Sequence, residues 1–320
     1  MGSADGPRLY VLKREANKTG AVVKIANFEY DGRARLGKIL GDTVVDLSAA
    51  APELPKLLVE ILRLGAPAMD KIAEVQPVAG AVLPLGSVRL LAPIPNPSKY
   101  LAIGMNYHDH AEEARKAGIP IPQTQVWFNK QVSCIVGPYD NVVRPNVSER
   151  LDYEAELGVV IGKRCRHVKA ADARSVIAGY LVTNDVTVRD WQQRSPTWTL
   201  GKSFDTHGPI GPWLTTADDV PDPHALRMRL FVNGELRQDT LTGGMIYNIF
   251  QQIEHLTTVM TLEPGDILAT GTCSGVGIAL KPPSFLNPGD VVRVEIDGLG
   301  NIENRVVPDG DPAARAEPGG

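Results

Sequence analysis

The turn-forming residues of this chain limit its fold more than any other feature. It carries 31 glycines and 25 prolines in 320 residues, well above the average usage of roughly 12% for the two together. Proline cannot donate a backbone hydrogen bond and breaks a helix interior, while glycine loosens one. A helical bundle or coiled coil is therefore excluded, and short segments joined by turns are expected. Pro264-Gly265-Asp266 and Pro288-Gly289-Asp290 show the pattern. In each, proline presets φ, glycine supplies positive φ, and an apolar run follows.

Short alternating segments open the chain, at 9–12, 21–25, 34–40 and 43–47, and read as a small antiparallel sheet. Over 54–75, Leu57, Leu58, Ile61, Leu62 and Leu64 recur at helical spacing. Prolines then crowd residues 91–97 and place a boundary near residue 95. Beyond it, strands are predicted at 157–161, 177–184, 226–233, 266–270 and 290–296, and helices at 170–178 and 245–261. The second helix puts Ile246, Ile249, Phe250, Ile253, Leu256 and Val259 on one face. This is a β-rich α+β chain. It divides into a small N-terminal β/α domain over 1–95, a catalytic domain over 96–308, and a tail over 309–320. The tail and the first seven residues lack any apolar period and are expected to be disordered.

At 43% hydrophobic residues, the chain has the material for a core without disulfide or metal staples. Its formal charge of −4 speaks against a nucleic-acid partner. Cys134, Cys165 and Cys273 are widely spaced and form no C-x-x-C, so neither a zinc ribbon nor a disulfide framework is indicated. No apolar run approaches the roughly 18 residues of a membrane span, and the N-terminus has no apolar signal-peptide core. A soluble cytoplasmic protein with no membrane partner is expected.

Four segments carry candidate chemistry. In Asp152-Tyr153-Glu154-Ala155-Glu156, a strand's period of two puts three carboxylates on one face. Such a face is usually just solvated, but a divalent cation between the carboxylates would also explain it. Asp185 ends an apolar run and is a candidate third oxygen ligand. A helix after it would bring Arg189 and Gln192, at i+4 and i+7, to the same side. In Asn106-Tyr107-His108-Asp109-His110-Ala111-Glu112-Glu113, helical spacing pairs His110 with Glu113 or His108 with Glu112, and spacing alone does not choose. Lys202 follows a glycine among apolar residues and has a role only if it points at the metal. Thr270-Gly271-Thr272-Cys273-Ser274-Gly275-Val276-Gly277 superficially matches a dinucleotide loop. Pro282-Pro283 follows too soon for the helix that such a loop must open.

Taken in order, the blocks AIGMNYHDHAEEA, FNKQVSCIVGP, LDYEAELGVVIGK, GYLVTNDVTVRDWQ, GKSFDTHGPIGPW, VNGE and LEPGDILATGTCSGVG resemble the fumarylacetoacetate hydrolase family. The resemblance covers roughly residues 97–306. It implies a mixed β-roll or β-sandwich catalytic domain holding Mg²⁺, or Mn²⁺ or Ca²⁺, through three carboxylates, here Glu154, Glu156 and Asp185. It selects His110 and Glu113 as the acid–base dyad and assigns Lys202 a catalytic role. Arg189, Gln192, Thr272 and Lys130 fall on substrate-binding positions. Members of this family are commonly homodimers acting on small oxo acids.

The activity this implies first is hydrolysis of a C–C bond in a 2,4-dioxo acid such as an acylpyruvate. His110 would activate water, and an enolate would leave against the metal and Lys202. The same parts serve an oxaloacetate-type decarboxylase or a keto–enol isomerase, so the scaffold does not fix the reaction. A metal-dependent binding protein with no catalysis is the remaining class. Turnover of a dioxo acid separates it from the enzymes.

Overall fold

The computed structural model describes residues 23–116 and 118–312. The expected strand at 9–12, the first residues of 21–25, the N-terminal tail and residues 313–320 lie outside that range.

Strands dominate the described residues, in two main sheets. Across the larger sheet the order is Val82–Pro84, Thr43–Asp46, Arg33–Leu40, Lys24–Tyr30, Gly208–Thr216, Ile177–Asn184, Ala155–Ile161, Ile267–Ala269, Tyr100–Gly104 and Val126–Lys130. Pairing is antiparallel except where Tyr100–Gly104 runs parallel to Ile267–Ala269, and Ile135–Val136 parallel to Gly208–Thr216. The second sheet runs Glu235–Leu241, Arg227–Val232, Val291–Ile296, Gly300–Pro308 and Val142–Arg144.

The middle of the larger sheet is buried on both faces. Every residue of Ala155–Ile161 is buried, which is why it reads as a continuous apolar run and not as an alternation. Period two still sorts its side chains. Leu157 and Val159 join Met228, Leu230 and Val294 of the second sheet. Val160 faces the opposite way, into a core with Ile25, Ile61, Ile72 and Ile267. That second core draws on both sides of the proline-rich segment near residue 95. Lys24–Tyr30 pairs directly with Gly208–Thr216, so the sheet crosses the segment without a break.

Helix boundaries depart from the sequence reading for identifiable reasons. The pattern over 54–75 is two helices, Leu58–Leu64 and Ala66–Glu74, because Gly65 sits at φ 73° between them. Leu57 and Leu64 are exposed at 56% and 59% and take no part in the core. The segment expected as a helix over 170–178 is a 3₁₀ helix, Ala170–Val176, and the next strand begins at Ile177. The helix expected over 245–261 is Ile249–Val259. Asn248 closes its start by accepting from the Gln251 N–H, while the Gln251 side chain accepts from the Asn248 N–H. Ile246 therefore precedes the helix, and Val259 is exposed. Among the described residues no helix is long and apolar enough to cross a membrane.

Candidate active site

Two adjacent strands bring the carboxylates together. Ala155 pairs with Asn184 and Glu156 with Thr183, so Asp185, one residue past the strand end, lies beside Glu154. The Asp185 N–H donates to the Glu154 carbonyl at 2.9 Å. Carboxylate oxygens of Glu154, Glu156 and Asp185 all lie within 4.8 Å of one another, and all three residues are buried.

The predicted single face of Asp152, Glu154 and Glu156 does not form. Leu151–Asp152 is a separate short strand pairing with Thr187–Val188, and the ladder breaks at Tyr153 and Glu154. There the Glu154 N–H goes to Asn184 Oδ1 at 2.9 Å. Asp152 turns to another task. Its carboxylate accepts from the N–H groups of Gly277 and Ile278, at 2.7 and 3.0 Å, and from Arg189 Nε at 2.7 Å. Nor is the chain helical directly after Asp185. Thr187–Val188 is extended, and the helix Arg189–Gln192 starts only afterwards. Arg189 still reaches the triad because that strand pairs beside Asp152.

Three buried cations surround the carboxylates. Lys202 Nζ donates to Glu154 Oε2 at 2.6 Å and to Asp185 Oδ2 at 2.7 Å. Gly201 allows this approach, because a Cβ there would stand 2.2 Å from the Gln192 nitrogen. Arg189 Nη1 lies 2.7 Å from Glu154 Oε1 and donates to Gln192 Oε1 at 3.1 Å. Its Nη2 is buried with no partner. Lys130 Nζ donates to Asp185 Oδ1 at 2.6 Å, to the Val186 carbonyl at 3.4 Å and to the Lys202 carbonyl.

An ammonium has three N–H donors. Lys130 has committed all of them and its side chain is fully buried, so it supports Asp185 and Lys202 from behind. Lys202 has committed two and keeps one.

The charges settle unequally. Burial works against ionising Glu154, but Lys202 and Arg189 outweigh it and hold its carboxyl below the ordinary range. Burial also opposes charging Lys202, and Asp185 and Glu154 more than restore its proton. Glu156 pairs with no cation among the described residues and accepts only the Gly271 N–H, at 2.8 Å. Burial, then Asp185 and Glu154, push its carboxyl well up. A buried acidic site of hard oxygens with one uncompensated carboxylate fits a divalent cation.

The dyad forms as the i,i+3 pair. His110 and Glu113 lie on the helix His108–Lys116, with His110 Nδ1 3.0 Å from Glu113 Oε2. His108 is exposed, and Glu112 pairs instead with Arg115 and Lys116. Two contacts dock this helix on the loop after Thr270. Glu113 Oε1 accepts from the Gly275 N–H at 3.2 Å, and Asp109 Oδ2 accepts from Ser274 Oγ at 2.8 Å. The imidazole is near enough to Glu154 to help hold that carboxyl down.

Three residues have supporting roles that the sequence reading did not give them: Asp152, Asn106 and Gln238. Fully buried Asn106 donates to the carbonyls of Thr270 and Tyr247 and accepts the Tyr247 N–H, at 2.8, 3.0 and 2.9 Å, tying the root of the dyad helix to the Gly271–Thr272 turn. Gln238 donates to Thr272 Oγ1 at 2.8 Å. Gln238 shows itself only in the structure: it is the only fully buried residue of Glu235–Leu241 and it is polar, so it must have partners. Gly271 sits at φ 98°, and a Cβ there would lie 2.6 Å from Asn106 Cβ. Gly271→Ala is therefore expected to destabilise the protein by about 1–3 kcal/mol and to loosen Glu156, measurable as a lower Tm and weaker Mn²⁺ binding.

Comparison with known proteins shows the family of the chain. The family profile described as fumarylacetoacetate (FAA) hydrolase C-terminal matches residues 99–307. A Bos taurus protein named as a mitochondrial oxaloacetate tautomerase is 45% identical over 269 residues, covering 83% of this chain and 85% of its own. A Homo sapiens protein also named as a mitochondrial oxaloacetate tautomerase is 44% identical with the same coverage. Among solved structures, a fumarylacetoacetate hydrolase from Exiguobacterium antarcticum matches with a TM-score of 0.77 at 36% identity, over 89% of this chain and 99% of that one. A maleylpyruvate hydrolase from Sphingobium sp. SYK-6, in complex with manganese(II) and pyruvate, matches at 0.72 and 36%, with the same coverage.

Proposed function

We propose that this chain, which belongs to the fumarylacetoacetate hydrolase family, is a divalent-metal-dependent tautomerase of an oxaloacetate-type 2-oxo acid. The observation that carries this reading is the 45% identity, over 83% of the chain, to proteins named as oxaloacetate tautomerases. Identity to the hydrolase of known structure is lower, at 36%. Hydrolysis of a C–C bond in a 2,4-dioxo acid, the first expectation from the sequence, is the second reading, and the maleylpyruvate hydrolase favours it.

Glu154, Glu156 and Asp185 would hold Mg²⁺ or Mn²⁺, which supplies Lewis-acid polarisation of the substrate's carbonyl oxygen. The proton chemistry belongs to the protein. Glu113 holds His110 Nδ1, leaving Nε2 to take a proton from the carbon next to the carbonyl and to return it. The remaining N–H of Lys202 faces charge that develops on the enolate oxygen. Unpartnered Arg189 Nη2 supplies donors for a carboxylate, the preference of a guanidinium. Interconversion of enol and keto forms needs only this single shuttle. Hydrolysis needs the same imidazole to activate water.

The deciding experiment follows the enol absorbance of oxaloacetate against the spontaneous rate, beside cleavage of an acylpyruvate and of maleylpyruvate. Catalysed cleavage without catalysed tautomerisation would transfer the conclusion to the hydrolase reading. Lys202→Met is expected to lower kcat more than it raises KM, because the third N–H acts mainly on the developing enolate. An unchanged kcat, measured with metal saturating, would make Lys202 purely a partner of Glu154 and Asp185.

A further inference from the structure

Gln238 belongs to the second sheet and lies outside the set of residues that meet metal or substrate, yet its amide is bonded on every side. Its Oε1 accepts the Ala155 N–H at 2.9 Å. Its Nε2 donates to the Cys273 carbonyl at 3.0 Å and to Thr272 Oγ1 at 2.8 Å. The two backbone partners fix which way round the amide sits, since a backbone N–H only donates and a carbonyl only accepts. With the amide fixed, its N–H groups point at Cys273 and Thr272, so Thr272 Oγ1 must accept. A hydroxyl has one hydrogen, and no described residue accepts that of Thr272. Thr272 is 4% exposed and follows Gly271, whose N–H binds Glu156 at 2.8 Å. The hydroxyl hydrogen is thus left over beside the carboxylate triad.

We infer that Gln238 is a positioning residue that fixes Thr272 as a hydrogen-bond donor toward the carboxylate of the bound oxo acid. Ala155 lies between Glu154 and Glu156, so one side chain ties this donor to the strand that carries two of the acidic groups. Without Gln238, Thr272 is free to rotate and donate to its own neighbourhood. With it, the turn presents a donor and never an acceptor, which favours an anionic ligand group and disfavours a neutral donor in the same place. The inference rests on the reading of this site as an oxo-acid site, but not on which reaction occurs there.

The test is a double-mutant cycle read by equilibrium binding of pyruvate to the Mn²⁺-loaded protein. Gln238→Glu keeps the size of the side chain and the acceptor for Ala155, but takes the Thr272 hydrogen for itself. Pyruvate affinity is expected to fall roughly 10- to 100-fold, the worth of a hydrogen bond to a charged group. Thr272→Val should lose the same, Thr272→Ser should keep the affinity, and Mn²⁺ binding should be unchanged in all. The double variant Q238E/T272V should bind no more weakly than T272V alone. Losses that multiply in the double variant would overturn the inference, because Gln238 would then act on the fold and not through Thr272. A wild-type protein that binds no pyruvate would overturn it as well. Gln238→Met, with Tm as the check on folding, repeats the cycle if the glutamate variant does not fold. Coupled binding in a protein without tautomerase turnover would leave this inference standing and remove only the proposed reaction.

Discussion

Chelation of divalent ions by EDTA is expected to abolish turnover, with Mg²⁺ or Mn²⁺ restoring it. The loss should be at least about 10³-fold, since a Lewis acid at a developing negative charge is worth several kcal/mol. The carboxylate triad supplies the reason. Lys202, Lys130 and Arg189 compensate Glu154 and Asp185, but Glu156 forms no ion pair among the described residues and its carboxyl is pushed up by burial and by its two acidic neighbours. A carboxyl whose folded pKa is raised favours the metal-free fold below the ordinary glutamate range, and that contribution is lost as pH rises through the raised value. A bound cation removes this penalty. The rise in Tm on adding Mg²⁺ should therefore grow with pH, and Mn²⁺ affinity should fall as Glu156 takes up its proton. Calorimetry at several pH values checks both. Full activity in rigorously metal-free protein would sink the metal assignment.

Most of the site was legible because its chemistry is local in sequence. Helical spacing offered two His–Glu pairs, the family resemblance selected His110 and Glu113, and the fold brings that pair to 3.0 Å. Supports that cross between sheets were not legible. Asp152 looked like a third member of an acidic face, because nothing in the sequence shows the ladder breaking at Tyr153. Lys130 looked like a substrate contact, because the acceptors of its three hydrogens, Asp185, Val186 and Lys202, are distant in the chain. Composition suggested a link near residue 95, yet Lys24–Tyr30 extends the same sheet through Gly208–Thr216. Register between strands separated by about 190 residues leaves no local signature. Helix ends failed for the opposite reason. At Asn248 a side chain three residues past the expected start at Met245 decides where the helix begins, and hydrophobic period carries no information about caps.

His110→Ala is expected to separate the reactions proposed for this site. Tautomerisation requires a group that takes a proton from carbon and gives it back, and the proposed mechanism assigns that part to His110 Nε2. Removing a general base typically costs about 10²–10⁴-fold, and this is the loss expected for enol–keto interconversion of oxaloacetate. Acylpyruvate cleavage, if present, should fall by the same order, because it draws on the same nitrogen to activate water. Any oxaloacetate decarboxylation should survive to a large extent, since it needs an electron sink more than a base. Glu113→Gln should lose less than His110→Ala, because the imidazole keeps its place but loses the partner that stabilises its charged form. The measurement is all three activities on one preparation with metal content determined. Equal loss of every activity with metal still bound would show that the dyad helix, held on Ser274 and Gly275 by Asp109 and Glu113, acts by closing the site and excluding water. No loss of any activity would move the proton shuttle elsewhere, and exposed His108, two residues away on the same helix, is the next residue to replace.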